Sequence, residues 1–195
     1  MTLPDVVVGD DGRARCRWGA SDPEYLRYHD EEWGWPLHGD QQLFEKMSLE
    51  GFQAGLSWIT ILRRRPGFRE VFHDFDAERV AAMSDDEVEA AMQDARIIRN
   101  RAKVLSTIKN ANLTLELTRD DPGALDRLMW SFAPLPRAAR LTSMSQLPAV
   151  TDESTAMSKA LRKMGFGFVG PTTMYALMQS SGMVDDHVVG CWRAS

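Results

Sequence analysis

The chain is poor in cysteine and in long apolar runs. Only two of its 195 residues are cysteine, Cys16 and Cys191, too few for the disulfide framework of a small secreted domain. No apolar stretch approaches the about 20 residues that cross a bilayer, so we predict no membrane association. The first residues lack the basic region and apolar centre of a secretory signal. We therefore expect a reducing, cytoplasmic setting.

Regular alternation of apolar and polar residues, the mark of β-strands, is nearly absent apart from Val6-Val7-Val8. Helix signals dominate instead. Ser84 followed by Glu87 is a capping box, and we predict a further helix over Ser57–Arg65 that stops at Pro66-Gly67. These patterns predict an all-α fold with one domain over residues 15–195. Residues 1–14 are predicted to be a disordered extension.

The net charge of −5 argues mildly against a nucleic-acid partner. The charges are unevenly distributed, however. Between Ala95 and Leu115 the chain carries five basic residues and no acidic one. Such a local patch is compatible with phosphate binding, although a solvated helix face has the same composition.

The two cysteines are each paired with a histidine. Cys16 precedes His29 by 13 positions, and His187 precedes Cys191 by four, which places the second pair on one face of a helical turn. Two cysteines and two histidines form a complete tetrahedral zinc set with no open position, so such a zinc would be structural. Two buried cysteines beside two ordinary histidines fit the same spacing. If the four meet, the metal joins the first segment of the chain to the last.

A carboxylate interrupts an apolar helix face. Leu43, Met47 and Glu50 occupy positions i, i+4 and i+7, so Glu50 continues the apolar stripe of its helix. A buried carboxylate is costly unless it is paired or faces a polar cavity. A salt bridge to an arginine of the run at 63–65 would satisfy that requirement, and so would a ligand.

Aromatic residues lie close to this carboxylate in the sequence. Trp58 follows Glu50 by eight positions, and Tyr25 and Tyr28 share one face of a predicted helix. Together with Glu50 they would form a negatively charged aromatic pocket suited to a planar cation. Plain core packing is the alternative for each aromatic residue.

Residues 93–101 join two predicted helices by a short connection. Ile97-Ile98 would anchor it in the core, and the following helix offers free backbone N–H groups to a phosphate. We interpret the segment as a helix–hairpin–helix that grips a DNA backbone without reading sequence, with Arg99 and Arg101 as predicted DNA contacts. An ordinary turn between packed helices fits equally.

Taken together, the motifs resemble those of the 3-methyladenine DNA glycosylase I family, within the helix–hairpin–helix glycosylase superfamily. The resemblance extends from about Arg15 to Cys191. The matching segments are Cys16-Arg17-Trp18, Asp22-Pro23-Glu24-Tyr25, Tyr28-His29-Asp30, Glu32-Trp33-Gly34, Leu49-Glu50-Gly51-Phe52-Gln53-Ala54-Gly55-Leu56-Ser57-Trp58-Ile59, Ile97-Ile98-Arg99-Asn100-Arg101, Trp130-Ser131-Phe132, Ser158-Lys159-Ala160-Leu161, Gly165-Phe166, Phe168-Val169-Gly170 and Asp186-His187-Val188-Val189-Gly190-Cys191.

The resemblance implies a role for each group of site residues. It implies that Glu50 is the catalytic residue and hydrogen-bonds the excised base, and that Gly55-Leu56 approaches the gap left in the duplex. Residues 15–33 and about 171–191 would form the part clasped by metal. The implied pocket walls are Tyr25, Tyr28 and Trp58, and the implied ligands of one structural zinc are Cys16, His29, His187 and Cys191.

The implied activity is hydrolysis of the N-glycosidic bond of 3-methyladenine in double-stranded alkylated DNA, by a monomer. No lysine stands where bifunctional relatives carry one, so we predict no strand cleavage, and no catalytic aspartate after the hairpin is identified. Arg96 departs from the family, whose members commonly carry glycine there. Two other readings remain open: a non-enzymatic zinc-stapled module that binds DNA or a partner, and a helical hydrolase that uses Glu50 on a small molecule.

Overall fold

The computed structural model describes residues 5–194, and most of that range is helical, as predicted. The α-helices of the described range are α1 Pro23–Glu31, α2 Asp40–Gln53, α3 Trp58–Val71, α4 Ala77–Ala81, α5 Asp85–Gln93, α6 Arg101–Thr118, α7 Ala124–Trp130, α8 Asp152–Lys163 and α9 Pro171–Ser180. None of the helices in this range is both long and apolar enough to cross a bilayer.

The helix starts follow the capping signals of the sequence. The Asp22 carboxylate accepts from the Glu24 N–H at 2.9 Å, with proline at the first helical position. At α5, the hydroxyl of Ser84 accepts from the Glu87 N–H, and the Glu87 carboxylate accepts from the Ser84 N–H at 2.8 Å. The predicted capping box is therefore confirmed.

Helix α3 does not stop at Pro66, as the sequence predicts, but continues to Val71. Proline removes one backbone hydrogen bond from a helix interior. Tertiary packing offsets that loss, because Phe68, two residues after Pro66, and Phe72, the C-cap residue of the helix, are fully buried in the core.

A two-stranded hairpin precedes the helices. Strand β1 (Val6–Val8) pairs antiparallel with β2 (Ala14–Cys16), and Val6 lies opposite Cys16. This differs from the disordered extension expected over residues 1–14, of which residues 1–4 lie outside the described range. The reason is packing, because Val6 contacts a buried cluster that contains Cys16, Val188 and Cys191. The hairpin is thereby attached to the C-terminal segment.

Helix α2 is the centre of the fold. It packs against α3, α6, α7 and α9, and every residue from 46 to 52 is buried. Leu43, Phe44 and Met47 contribute to the main core. The helix therefore carries Glu50 into the interior and ends at the turn that contains Gly55 and Leu56.

Candidate functional site

The structure brings the four predicted metal ligands together. Cys16, His29, His187 and Cys191 are all buried, and their ligand atoms lie within 4.8 Å of one another. The Sγ of Cys191 lies 3.4 Å from Nε2 of His29 and 3.6 Å from Nδ1 of His187. The Sγ of Cys16 lies 3.7 Å from the same Nδ1.

These distances fit a tetrahedral ion. Bonds of about 2.3 Å to sulfur and about 2.0–2.1 Å to nitrogen imply ligand–ligand separations of roughly 3.3 to 3.8 Å. The second nitrogen of each imidazole has a partner that orients the ring. Nδ1 of His29 lies 2.8 Å from Oδ1 of Asp30, and Nε2 of His187 lies 3.3 Å from the carbonyl oxygen of Trp33. The donor set therefore suits a metal ion and presents both histidines correctly.

The two sulfurs interact strongly with each other. Their mutual hydrogen bond raises the pKa of Cys16 and lowers the pKa of Cys191. A divalent cation bound between the two buried sulfurs would favour the thiolate form of both.

Glycines make room for both histidine rings. A Cβ at Gly19 would lie 2.6 Å from Cγ of His29, and a Cβ at Gly34 would lie 3.0 Å from Nε2 of His187. Gly34 also has a φ of +76°, which favours glycine. Any larger residue at these two positions would displace one of the clustered histidines.

Trp18 joins the metal cluster to a neighbouring pocket. Its ring packs edge-on against His29 at 5.3 Å, against Trp33 at 5.0 Å and against Tyr25 at 5.6 Å between centroids. Trp33 in turn contacts the ring of His187 at 4.6 Å. The metal cluster and the pocket therefore share walls.

The pocket contains every residue predicted for base recognition. Glu50 of α2, Tyr25 and Tyr28 of α1, and Trp58 at the start of α3 surround a cavity of about 280 Å³. The hydroxyl of Tyr25 accepts from the Ile59 N–H at 3.0 Å, which ties α1 to α3. The sequence did not identify the other lining residues, which are Trp18, Trp33, Gln53, Met144, Leu147, Ala176, Gln179 and Ser180.

Glu50 is a buried carboxyl group with a single hydrogen-bond partner in the described range. It is 3% exposed, and the hydroxyl of Ser180 donates to its Oε1 at 2.9 Å. Burial raises the pKa of Glu50 to about 7, against the opposing effects of the Lys46 charge and the Ser180 hydrogen bond. A carboxyl group tuned to neutral pH inside a cavity is typical of a functional site.

The salt bridge considered for Glu50 does not form, because the arginines at 63–65 have other partners. Arg63 pairs with Asp22. Arg64 donates to the carbonyl oxygens of residues 95 and 97. Arg65 binds Glu32, with one hydrogen bond of 2.7 Å. Glu50 therefore has no arginine partner among the described residues.

Two of the lining residues carry further polar groups. The indole Nε1 of Trp58 is buried and makes no hydrogen bond in the described part of the chain. Burial raises the pKa of Tyr28 well above its usual value, so its hydroxyl stays protonated. The lining thus combines aromatic rings with one carboxyl group.

A turn after α2 is exposed beside the pocket. Gly55 has a φ of +85°, and a Cβ there would meet open space. Leu56 follows with 42% of its surface exposed. The Lys103 ammonium fixes the turn by donating to the carbonyl oxygens of Phe52 and Ala54 at 2.8 and 2.9 Å. Helix α6, which begins at Arg101, is thereby attached to this turn.

The predicted hairpin lies between α5 and α6. Arg99 is exposed and has no ion-pair partner among residues 5–194, whereas Arg101 pairs with Glu89 at 2.7 Å. Both are near the turn because Lys103 follows them on α6.

The side chain of Arg96, in the connection between α5 and α6, packs against helix α3. It pairs with Asp94 at 2.7 Å and with Glu70 of α3. A Cβ at Gly67 would lie 2.5 Å from Cβ of Arg96. The side chain at 96 therefore fits because residue 67 has none.

Comparison with known proteins identifies close relatives. The family model described as Methyladenine glycosylase matches residues 18–194. DNA-3-methyladenine glycosylase 1 of Escherichia coli is 48% identical over 178 residues, which cover 91% of this chain and 95% of the relative.

Solved structures match equally well. A crystal structure of 3-methyladenine DNA glycosylase I superposes with a TM-score of 0.86 at 44% identity, over 91% of this chain and 98% of the other. A tyrosine-to-phenylalanine variant of such an enzyme, in complex with 3-methyladenine, gives a TM-score of 0.84 at 33% identity, over 91% and 96% of the two chains.

Proposed function

The chain belongs to the Methyladenine glycosylase family, and from this membership we propose that its pocket excises 3-methyladenine from alkylated DNA by hydrolysis of the N-glycosidic bond. The observation that carries the proposal is the buried Glu50 carboxylate inside an aromatic cavity. The relatives are named for this activity, and one was solved with 3-methyladenine bound.

The chemistry of the damaged nucleotide suits this cavity. Methylation at N3 gives the base a positive charge while it is attached to the sugar, so the glycosidic bond is weak. The enzyme extrudes the nucleotide from the duplex, at a cost of a few kcal/mol that is smallest for a damaged base. Trp58 and the tyrosines contact the ring through stacking and cation–π attraction, and Glu50 accepts hydrogen bonds from the edge of the base.

Bond cleavage balances without a protein nucleophile. The base leaves with the electron pair of the glycosidic bond and becomes neutral 3-methyladenine, while water adds to C1′ and releases a proton. We expect Glu50 and the aromatic walls to act mainly through binding and electrostatic stabilisation of the transition state. The Lys103 ammonium donates hydrogen bonds to two backbone carbonyl groups. It is therefore not a free amine that could attack C1′. We propose a monofunctional enzyme that leaves the strand intact.

The metal has a structural role in this proposal. Zinc suits the Cys₂His₂ donor set, with about one ion per chain and all four positions filled by protein. It would join residues 15–33 to residues 171–191 and so hold the helix that carries Tyr25 and Tyr28. We further propose that residues 15–195 function as one glycosylase domain, as a cytoplasmic monomer.

Duplex DNA is the proposed partner, approached through the exposed turn and the hairpin. Leu56, presented by Gly55, would fill the gap left by the extruded nucleotide. Arg99 and Arg101 would contact phosphates, after Arg101 exchanges its ion pair with Glu89. These contacts position the protein without reading sequence.

Leu56→Ala is expected to lower kcat/KM for methylated duplex DNA about tenfold or more, because the wedge that stabilises the extruded state is lost. Binding of free 3-methyladenine should be unchanged, since Leu56 does not line the cavity. A matched control is Leu105→Ala, because Leu105 is a leucine of similar exposure that lies on α6. Equal losses in both variants, or weaker binding of the free base by Leu56→Ala, would contradict the role.

Base release from methylated duplex DNA tests the function itself. The purified protein should liberate 3-methyladenine, identified by chromatography, faster than spontaneous depurination and with the strands intact. A DNA-binding module would bind the duplex and release nothing. A small-molecule hydrolase would neither bind the duplex nor release a base.

A further inference from the structure

A second buried charge lies one helical turn before Glu50. Lys46 is only 7% exposed. No hydrogen bond or ion pair joins its ammonium group to another residue within the described range. An unpaired buried cation is costly and therefore calls for a physical explanation. The function proposed above does not use it.

The ammonium group lies against the rings that form the pocket. Nζ of Lys46 is 5.3 Å from the ring centroid of Tyr28 and 5.7 Å from that of Trp58, distances at which cation–π attraction operates. Lys46 does not line the base pocket. It lines a separate cavity of about 270 Å³, which shares Ser180 with that pocket. The cation therefore stands behind the aromatic wall.

The other charges around Lys46 are already paired. From α2 it faces Glu45, which binds Arg69 at 2.8 Å, and Glu50. From the end of α1 it faces Glu32, which binds Arg65 of α3. Glu50 is the carboxylate of this set without a cationic partner. Lys46 and Glu50 are thus two opposite charges left in one buried region.

We propose that Lys46 is a positioning residue for base excision, whose buried ammonium favours the ionised form of Glu50 in the pocket before the base enters. The inference rests on the function proposed above. Without the cation, burial would favour the protonated acid, which attracts a cationic base weakly and donates where it should accept. With the cation present, a larger fraction of Glu50 is ionised before the damaged nucleotide enters. Lys46 acts through Glu50 and touches no reacting atom.

The electrostatics of the two groups agree with this role. Burial raises the pKa of Glu50, and the charge of Lys46 opposes that rise. Burial likewise lowers the pKa of Lys46, and the negative charge of Glu50 is the largest effect that opposes this lowering. Each ion therefore stabilises the other across the pocket wall.

The test is the pH profile of kcat/KM for base release, with spontaneous depurination subtracted at each pH. Because activity requires ionised Glu50, kcat/KM should rise with pH through the pKa of that group. Lys46→Met should move this rise upward by about one pH unit, which is an about tenfold loss below it. The two profiles should converge at higher pH. Lys46→Arg, which keeps the charge, should keep the wild-type midpoint.

Several outcomes would overturn the proposal. A uniform loss at all pH values in Lys46→Met would indicate packing alone, and an unmoved midpoint would remove the electrostatic role. Lys46→Gln provides the same comparison if the methionine variant folds poorly. A pH titration of the Glu50 carboxyl group by carbon-13 NMR of labelled glutamate, without DNA, should show the same upward change of its pKa in Lys46→Met. Absence of base release by the wild type would reject the proposed function, whereas release with an unmoved midpoint rejects only the role of Lys46.

Discussion

Glu50→Gln is expected to lower the rate of 3-methyladenine release at neutral pH by about 100-fold or more. Removal of one preorganised electrostatic contact to a reacting group typically has an effect of this size. Glutamine keeps the shape of the side chain but loses its charge, and its amide presents a donor on one side. The rate under single-turnover conditions with excess enzyme measures the effect on the excision step.

The stability of the same variant excludes unfolding as the cause. In the folded protein the pKa of Glu50 is about 7, above its value in an unfolded chain. The protonated group therefore stabilises the fold below the unfolded pKa, and this contribution is lost as pH rises through about 7. Glutamine does not ionise, so Glu50→Gln should melt at the same or a higher temperature than the wild type at pH 8.

A matched substitution sharpens the comparison. Glu116→Gln removes the same charge from an exposed position on α6 and should leave both rate and melting temperature near wild type. Undiminished release by Glu50→Gln would remove Glu50 from the mechanism. Lower melting temperature together with slow release would mean that the variant is damaged rather than disarmed.

Cys191→Ser is expected to remove the metal and to lower the melting temperature by about 10 °C or more. A structural zinc site contributes several kcal/mol to folding, and in a domain of this size each kcal/mol corresponds to roughly 2–4 °C. The cluster ties β2 and α1 to the C-terminal segment. Without the metal ion, Cys16, His29 and His187 stay buried with no ion to bind in common. Metal analysis and thermal melting of the same preparations check both parts.

Chelation of the wild type should act in the same direction, and added zinc should restore the melting temperature. His38→Gln is the matched control, because His38 is exposed, pairs with Asp126 at 3.0 Å and does not belong to the cluster of four. Metal-free protein from a chelator-free preparation, with a melting temperature that zinc does not change, would contradict the structural site.

The residues that the sequence could identify are those with a local signal. Capping chemistry predicts the starts of α1 and α5, and the position of Glu50 on an apolar stripe predicts its burial. The four metal ligands required the family resemblance, because spacing within the chain does not show that residues 158 positions apart, such as 29 and 187, meet. Arg99 and Arg101 stay predictions, since their role depends on DNA.

The remaining features depend on tertiary packing. Ser180 reaches Glu50 across 130 positions, and nothing near it in sequence marks it as part of the pocket. The continuation of α3 through Pro66 depends on the burial of Phe68 and Phe72 in the core. Arg96 fits its hairpin because Gly67 lies opposite. Lys46 resembles any surface lysine in the sequence and becomes informative only when its burial beside Glu50 is known.

We propose that the excised base occupies the cavity built around Glu50. Titration of free 3-methyladenine into the protein, followed by tryptophan fluorescence, tests it without DNA, since Trp58 forms a wall of the cavity. We expect saturable binding to the wild type, and binding to Glu50→Gln weakened by about tenfold or more because a charge-assisted hydrogen bond is lost. Equal affinity of the two proteins for 3-methyladenine would contradict it.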